Sequence, residues 1–193
     1  AVIVIVGDIE NSDYVFERAA YHFEKDTMND TAMEQSSGFP AHSPGHERLK
    51  RRVEFDVPVC IMGYPAPPSS HPDALPLEIV QHIASQGESS RLYRELVRRQ
   101  SVAVMATGMN HCLKHSGMSL FFSAFTPDVS VRRVERAMSS EIEKIRSDGV
   151  RAEEMEKVKN AALSSRVFEM YSAEHLCQRL GYSEVIDGDY RIW

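Results

Sequence analysis

Two apolar runs, residues 102–109 and 118–125, flank a short polar stretch at 111–117. So few intervening residues cannot cross over a sheet to make a parallel pair, so the spacing predicts two antiparallel strands joined by a hairpin loop. A strand is expected over 51–56, with Val53 and Phe55 on one face, and residues 57–64 read as the next strand or its continuation, stopped by Pro65-Ala-Pro67-Pro68. The run Ala1-Val-Ile-Val-Ile-Val-Gly7 is continuous and β-branched, as in a strand buried on both faces.

Between these lie helical periodicities. Residues 12–24 carry Phe16, Ala19, Ala20 and Phe23 at helical steps. Residues 73–86 carry Leu75, Ile79 and Ile83, with Gly87 placed as a left-handed terminator. Ser89 or Ser90 then caps a helix bearing Leu92 and Leu96. A longer helix starts at Asp128 or Ser130, shows Val131, Val134, Met138, Ile142 and Ile145, and ends at Asp148-Gly149. Another begins near Ala152 and carries Met155, Val158, Ala162, Leu163, Val167 and Met170. Residues 26–50 show little periodicity and read as a long connection. Strands cluster in pairs among helices without an internal repeat. The expected fold is α+β: two layers, a largely antiparallel sheet with helices packed on one side, forming a single domain over residues 1–193.

Composition excludes some functions. With 22 basic against 28 acidic side chains the chain is net −6, which opposes general nucleic-acid binding. The longest apolar run, at 1–7, is too short to span a bilayer. Cys60, Cys112 and Cys177 are scattered and odd in number, with no CxxC spacing, so they read as small packed residues.

Eight histidines prompt a search for metal ligands. His42-Ser-Pro-Gly-His46 has the spacing of two ligands on one helical turn, yet its proline and glycine oppose the helix. His111-Cys112-Leu113-Lys114-His115 adds a thiol, but Lys114 would repel a cation and the ligand count falls short. Asp187-Gly188-Asp189 reads as a turn, lacking the rest of a calcium loop. No nucleophile elbow, P-loop or dinucleotide fingerprint occurs. Arg91, Arg94, Arg98 and Arg99 form a basic helix face, read as solvated and paired in part with Glu88 and Glu95 rather than as an anion contact. Met105, Met109 and Met118 read as core filling.

Four segments in order carry a family resemblance: Val4-Ile-Val-Gly7-Asp8-Ile9; Ile61-Met-Gly63-Tyr64-Pro65-Ala-Pro67; Gly87-Glu-Ser89-Ser90-Arg91-Leu92-Tyr93-Arg94-Glu95-Leu96; and Asp148-Gly149-Val150 through Glu154 to Lys157–Asn160. Together the chain resembles the second, non-metal subdomain of one half of the pitrilysin, insulinase and mitochondrial-processing-peptidase zinc metallopeptidases. The resemblance implies two halves closing around a chamber that holds a short or unfolded peptide. It also implies a zinc site built on His-x-x-Glu-His, with the motif's glutamate as general base. That motif is absent from the chain, so the zinc subdomain is expected upstream of residue 1. The abrupt start and end read as cuts in a longer protein. Catalytic and metal residues in this chain are therefore expected to be none, and zinc is expected in the full-length protein but not bound by this piece.

The resemblance also implies an arginine and a tyrosine in halves that position substrate. Those positions fall near Val97 and Val104, where neither side chain can donate a hydrogen bond. The expected partners are a peptide substrate, the zinc subdomain and a second peptidase half, with no nucleic acid and no membrane span. Bacterial relatives place such proteins in the cytoplasm or the periplasm. An inactive scaffold of the same family and an unrelated peptide-binding domain are the alternatives.

Overall fold

A computed structural model describes residues 2–23, 45, 47–51, 54 and 56–192. In chain order its elements are α1 (Ser12–Phe23), β1 (Val59–Ala66), α2 (Ala74–Ser85), a π-helical segment (Tyr93–Arg99), β2 (Met105–Cys112), β3 (Gly117–Ala124), α3 (Val131–Asp148), α4 (Ala152–Met170) and α5 (Ala173–Tyr182). A short π-helical turn (Ser183–Asp187) and a 3-10 turn (Tyr190–Ile192) follow. The chain divides into two compact units, one of residues 44–167 and the other of 1–43 with 168–193. No helix among the described residues is long and apolar enough to cross a membrane.

The larger unit holds an antiparallel sheet in the order β1-β3-β2. The hairpin expected from the polar stretch forms, with a tighter turn. His111 and Cys112 pair with Met118 and Gly117, leaving only residues 113–116 in the loop. The proline stop after the preceding strand is corrected. Pro65 and Ala66 remain in β1, paired with Met118 and Gly117. Phe125 N–H donates to the Pro58 carbonyl, so alternate β1 residues from 60 onward bond to β3 while Pro65 faces outward. A proline costs no ladder bond there, as only an edge strand permits.

One sheet face buries Ala106 and Phe121 against Ala84 of α2, Leu92 and Leu96 of the π-helical segment, and Val134, Ala137 and Met138 of α3. This is the predicted arrangement of helices on one side of an antiparallel sheet. Tyr64 meets Phe121 edge to face at 6.0 Å. The opposite face leaves Val59, Ile61, Met105, Met109 and Met118 exposed. Core filling is thus corrected for these three methionines, whose odd-numbered or paired positions fall on the uncovered side of the pleat.

Ser130 caps α3, its hydroxyl accepting from Arg133 N–H, and Gly149 (φ 73°) ends it. Gly87 (φ 74°) ends the approach from α2, as expected. Ser101 takes a left-handed φ of 49° just after the π-helical segment, where a Cβ is disfavoured. Ser101→Gly is expected to raise unfolding free energy by about 0.5–1 kcal/mol, relief of strain outweighing the added freedom of the unfolded chain. Urea denaturation checks this, and a loss of stability would contradict it.

The smaller unit corrects two expectations. Residues 2–7 form no strand, and Val2, Ile3 and Ile5 are exposed rather than buried on both faces. A buried strand needs ladder partners, and no described segment supplies them. α1 forms, but Phe16 and Phe23 are exposed, with Ala19 and Ala20 only half-buried. Val53 and Phe55 of the strand expected over 51–56, and His42 and His46, lie outside the described residues.

Candidate functional site

The chemically richest constellation of the larger unit joins two segments 63 residues apart. Ser90 opens a helix whose N–H of Tyr93 approaches its hydroxyl at 3.4 Å. With the backbone so turned, Arg91 leaves the first turn and reaches the first turn of α4. Its Nε donates to Glu154 Oε1 at 2.9 Å and its Nη2 to Oε2 at 2.6 Å, while Nη2 also reaches the Gly149 carbonyl at 2.9 Å. The two side chains are 16% and 14% exposed.

Arg151 completes the arrangement. Its backbone N–H donates to Glu154 Oε2 and its guanidinium to Oε1, both at 3.0 Å. Hydrogen bonds from Arg91 and then Arg151 hold the Glu154 carboxyl well below the usual carboxylate range, against the opposing effect of burial. A carboxylate with four donors and so low a pKa neither takes up nor releases a proton near neutrality. This clasp holds structure together; it does not transfer protons. Beside it lies a shallow cleft of about 90 Å³, where His82, Gln86 and Val158 surround a Lys157 that donates to the Ser89 hydroxyl.

The remaining basic side chains follow the expected solvated face in part. Arg98 pairs with Glu88 at 2.5 Å, and Arg99 pairs with Glu95. Glu95 is itself buried and also accepts from Gln100 Nε2 at 2.5 Å. Its carboxyl is lowered to about 2, chiefly by the Arg99 hydrogen bonds. Arg94 is exposed. Arg91 departs from that face, its partner being Glu154 rather than Glu88 or Glu95. Nothing in local spacing reveals that pairing, because only the fold brings α4 to the helix start.

Val97 lies half-buried within the π-helical segment and packs against the core. Val104 is 56% exposed, and its N–H donates to the Ala124 carbonyl at 2.9 Å. The candidate ligands do not assemble. His111 sits in β2 and His115 in the hairpin loop, both exposed, while burial pushes the Cys112 thiol up. Asp189 is engaged by Arg191, and Gly188 adopts φ 84° in the turn. Among the described residues no three His, Cys, Asp or Glu side chains converge on a point that could hold a metal ion. Among the described residues the donors present do not make up a zinc site.

Sequence reasoning missed a buried polar network over the sheet. Gln81 donates from Nε2 to the Leu120 carbonyl (3.1 Å) and to Ser85 Oγ (2.9 Å), and its Oε1 accepts from Ser119 Oγ at 2.7 Å. The signal was a glutamine among the apolar positions of α2 facing a glycine in β2, which is weak before the register is known.

Comparison with known proteins places this geometry. A family model described as the peptidase M16 inactive domain matches residues 1–162. A curated relative, the zinc protease PqqE of Helicobacter pylori, is 25% identical over 161 residues, covering 82% of this chain and 36% of its own length. The crystal structure of a protease from Helicobacter pylori superimposes with a TM-score of 0.77 at 21% identity, over 96% of this chain and 45% of that one. The inactive peptidase domain of a candidate zinc protease from Bordetella parapertussis gives a TM-score of 0.64 at 20% identity, over 75% of this chain and 78% of its own. The chain thus spans little more than a third of the length of the curated relative it matches.

Proposed function

Because the chain belongs to the peptidase M16 family, matching its inactive domain over residues 1–162, we propose that it is the non-metal subdomain of a zinc-dependent endopeptidase. In this reading it completes one peptidase half and lines part of a chamber that takes short or unfolded peptides. The zinc ligands belong to a separate subdomain, and a second half closes the chamber.

The Arg91–Glu154 clasp is the observation that carries this reading. It spends a carboxylate held well below its ordinary range on fixing a helix start to α4. The polar chemistry of the larger unit thereby holds a wall in place. Val97 and Val104 support the assignment to the zinc-bearing half, since neither offers a hydrogen bond to a substrate carbonyl or oxyanion.

The test compares the 193-residue chain with the polypeptide as the gene encodes it, using fluorogenic short peptides and metal analysis. The longer protein is expected to cleave and to lose cleavage on chelation, while the 193-residue chain neither cleaves nor retains stoichiometric zinc. Chelator-sensitive cleavage by the 193-residue chain would refute the assignment.

A further inference from the structure

The outward face of the β2–β3 hairpin carries soft donors that neither the core nor the clasp uses. β2 reads Met105-Ala-Thr-Gly-Met109-Asn-His111-Cys112, in which Thr107 alone is β-branched, so sheet propensity does not account for its side chains. Leu113 N–H bonds to the Ser116 carbonyl, and the ladder places Met118 directly across from His111, with Met109 two residues back on the same face. All three lie on the side away from the helices. Met109 is 51% and Met118 47% exposed, and His111 is exposed as well. The register therefore joins one histidine to two methionines that flank the His111–His115 run in sequence.

Their spacing suits one shared ion. Opposed residues of a ladder hold their Cβ atoms about 5 Å apart, diagonal ones about 7–8 Å, and alternate residues of one strand about 7 Å. The three rotatable bonds of a methionine span such gaps. The Met118 sulfur lies over β1, 3.6 Å from where a Cβ of Gly63 would stand, so the missing side chain there leaves Met118 room to swing. Two thioethers and an imidazole are neutral and soft. Such a set selects Cu(I) over zinc, which takes thiolate, imidazole and carboxylate. Lys114, in the adjoining turn, opposes a univalent ion with half the Coulomb energy it exerts on a divalent one at the same distance.

We propose that Met109, His111 and Met118 form a binding site for Cu(I) on the outward face of the hairpin. Met105 stands on the same row but four residues from Met109, about 13 Å along the strand, and takes no part. The site lies wholly within the larger unit. It needs neither a zinc subdomain nor a chamber, so its failure would leave the peptidase reading untouched, and failure of that reading would leave the site.

The methyl resonances of isotope-labelled methionines test this, in the chain titrated anaerobically with Cu(I) held reduced by ascorbate. One equivalent is expected to shift the methyls of Met109 and Met118 and to leave that of Met105 in place. Met109→Leu, Met118→Leu and His111→Ala are each expected to weaken Cu(I) binding at least about 10-fold, the scale of losing even an outer partner of a metal site. Met105→Leu is expected to leave it unchanged. Leucine keeps the volume of methionine on an exposed face, so the fold is retained and the loss reports the sulfur. Zn(II) at the same concentration is expected to leave both methyls unmoved. Absence of a Cu(I)-induced shift would overturn the proposal. So would equal shifts at all three methionines, the mark of sulfurs binding independently, and so would undiminished affinity in either leucine variant or a zinc-induced shift.

Discussion

Arg91→Ala is expected to lower the unfolding free energy of the larger unit by about 3 kcal/mol, the cost of stranding a largely buried carboxylate. Four donors converge on Glu154, two of them from Arg91. Removing Arg91 leaves a charge shielded from water with only Arg151 to satisfy it, and also frees the Gly149 carbonyl. The double variant Arg91→Ala/Glu154→Ala should cost less than the sum of the single changes, because one interaction is counted in both. Urea denaturation measures all three. A loss below about 1 kcal/mol, typical of an exposed pair, would show that the clasp contributes little.

The same pair predicts a pH dependence. Its carboxyl titrates lower in the folded chain than in the unfolded one. Its contribution is therefore complete above the unfolded value of about 4.3 and is lost as pH falls through the acid range. The wild-type chain should lose stability between about pH 5 and about pH 2 more steeply than Glu154→Gln, which has no proton to bind there.

Gly108→Ala should cost at least about 3 kcal/mol, more than an ordinary overpacking change, and is the substitution most able to prevent folding. Gly108 lies on the face of β2 beneath α2. A Cβ there would fall on Gln81 Nε2, 2.5 Å from the Leu120 carbonyl oxygen and 2.8 Å from Ser85 Oγ. The side chains can rotate away, but the Leu120 oxygen is backbone and cannot move without opening the β2–β3 ladder. Turning Gln81 aside also leaves Ser119 and Leu120 without its bonds. Gln81→Ala in the Gly108→Ala background should recover part of the loss by making room, and thermal denaturation of both variants checks this. No recovery would indicate that the backbone contact dominates.

The sequence made the hairpin, the three principal helices of the larger unit and the glycines that end two of them legible, because each depends on nearest neighbours along the chain. Ser130 and Gly149 are clear cases, a cap and a stop recognisable within four residues. The Arg91–Glu154 pairing was not legible, although both residues stood in the segments that carry the family resemblance. A guanidinium says nothing about which distant carboxylate it will meet. The first strand misled for the opposite reason. Its composition describes the environment it suits, whereas the described residues provide only a helix along one side. The apolar pattern of the sheet was equally ambiguous, since a methionine at an odd position in β2 is core or surface according to which face the helices cover.

Gln86 ties two events together. Its backbone N–H closes α2 on the His82 carbonyl, and its side chain donates to the Gly108 carbonyl at 2.7 Å. Leu113 N–H bonds to the Ser116 carbonyl, so the alternating pattern turns Gly108 outward along the free edge of β2. Fraying of one helical turn therefore withdraws the plug from a strand edge beside an exposed apolar face. Local melting and the onset of aggregation become a single step, with its threshold set by the last turn of α2 rather than by global unfolding.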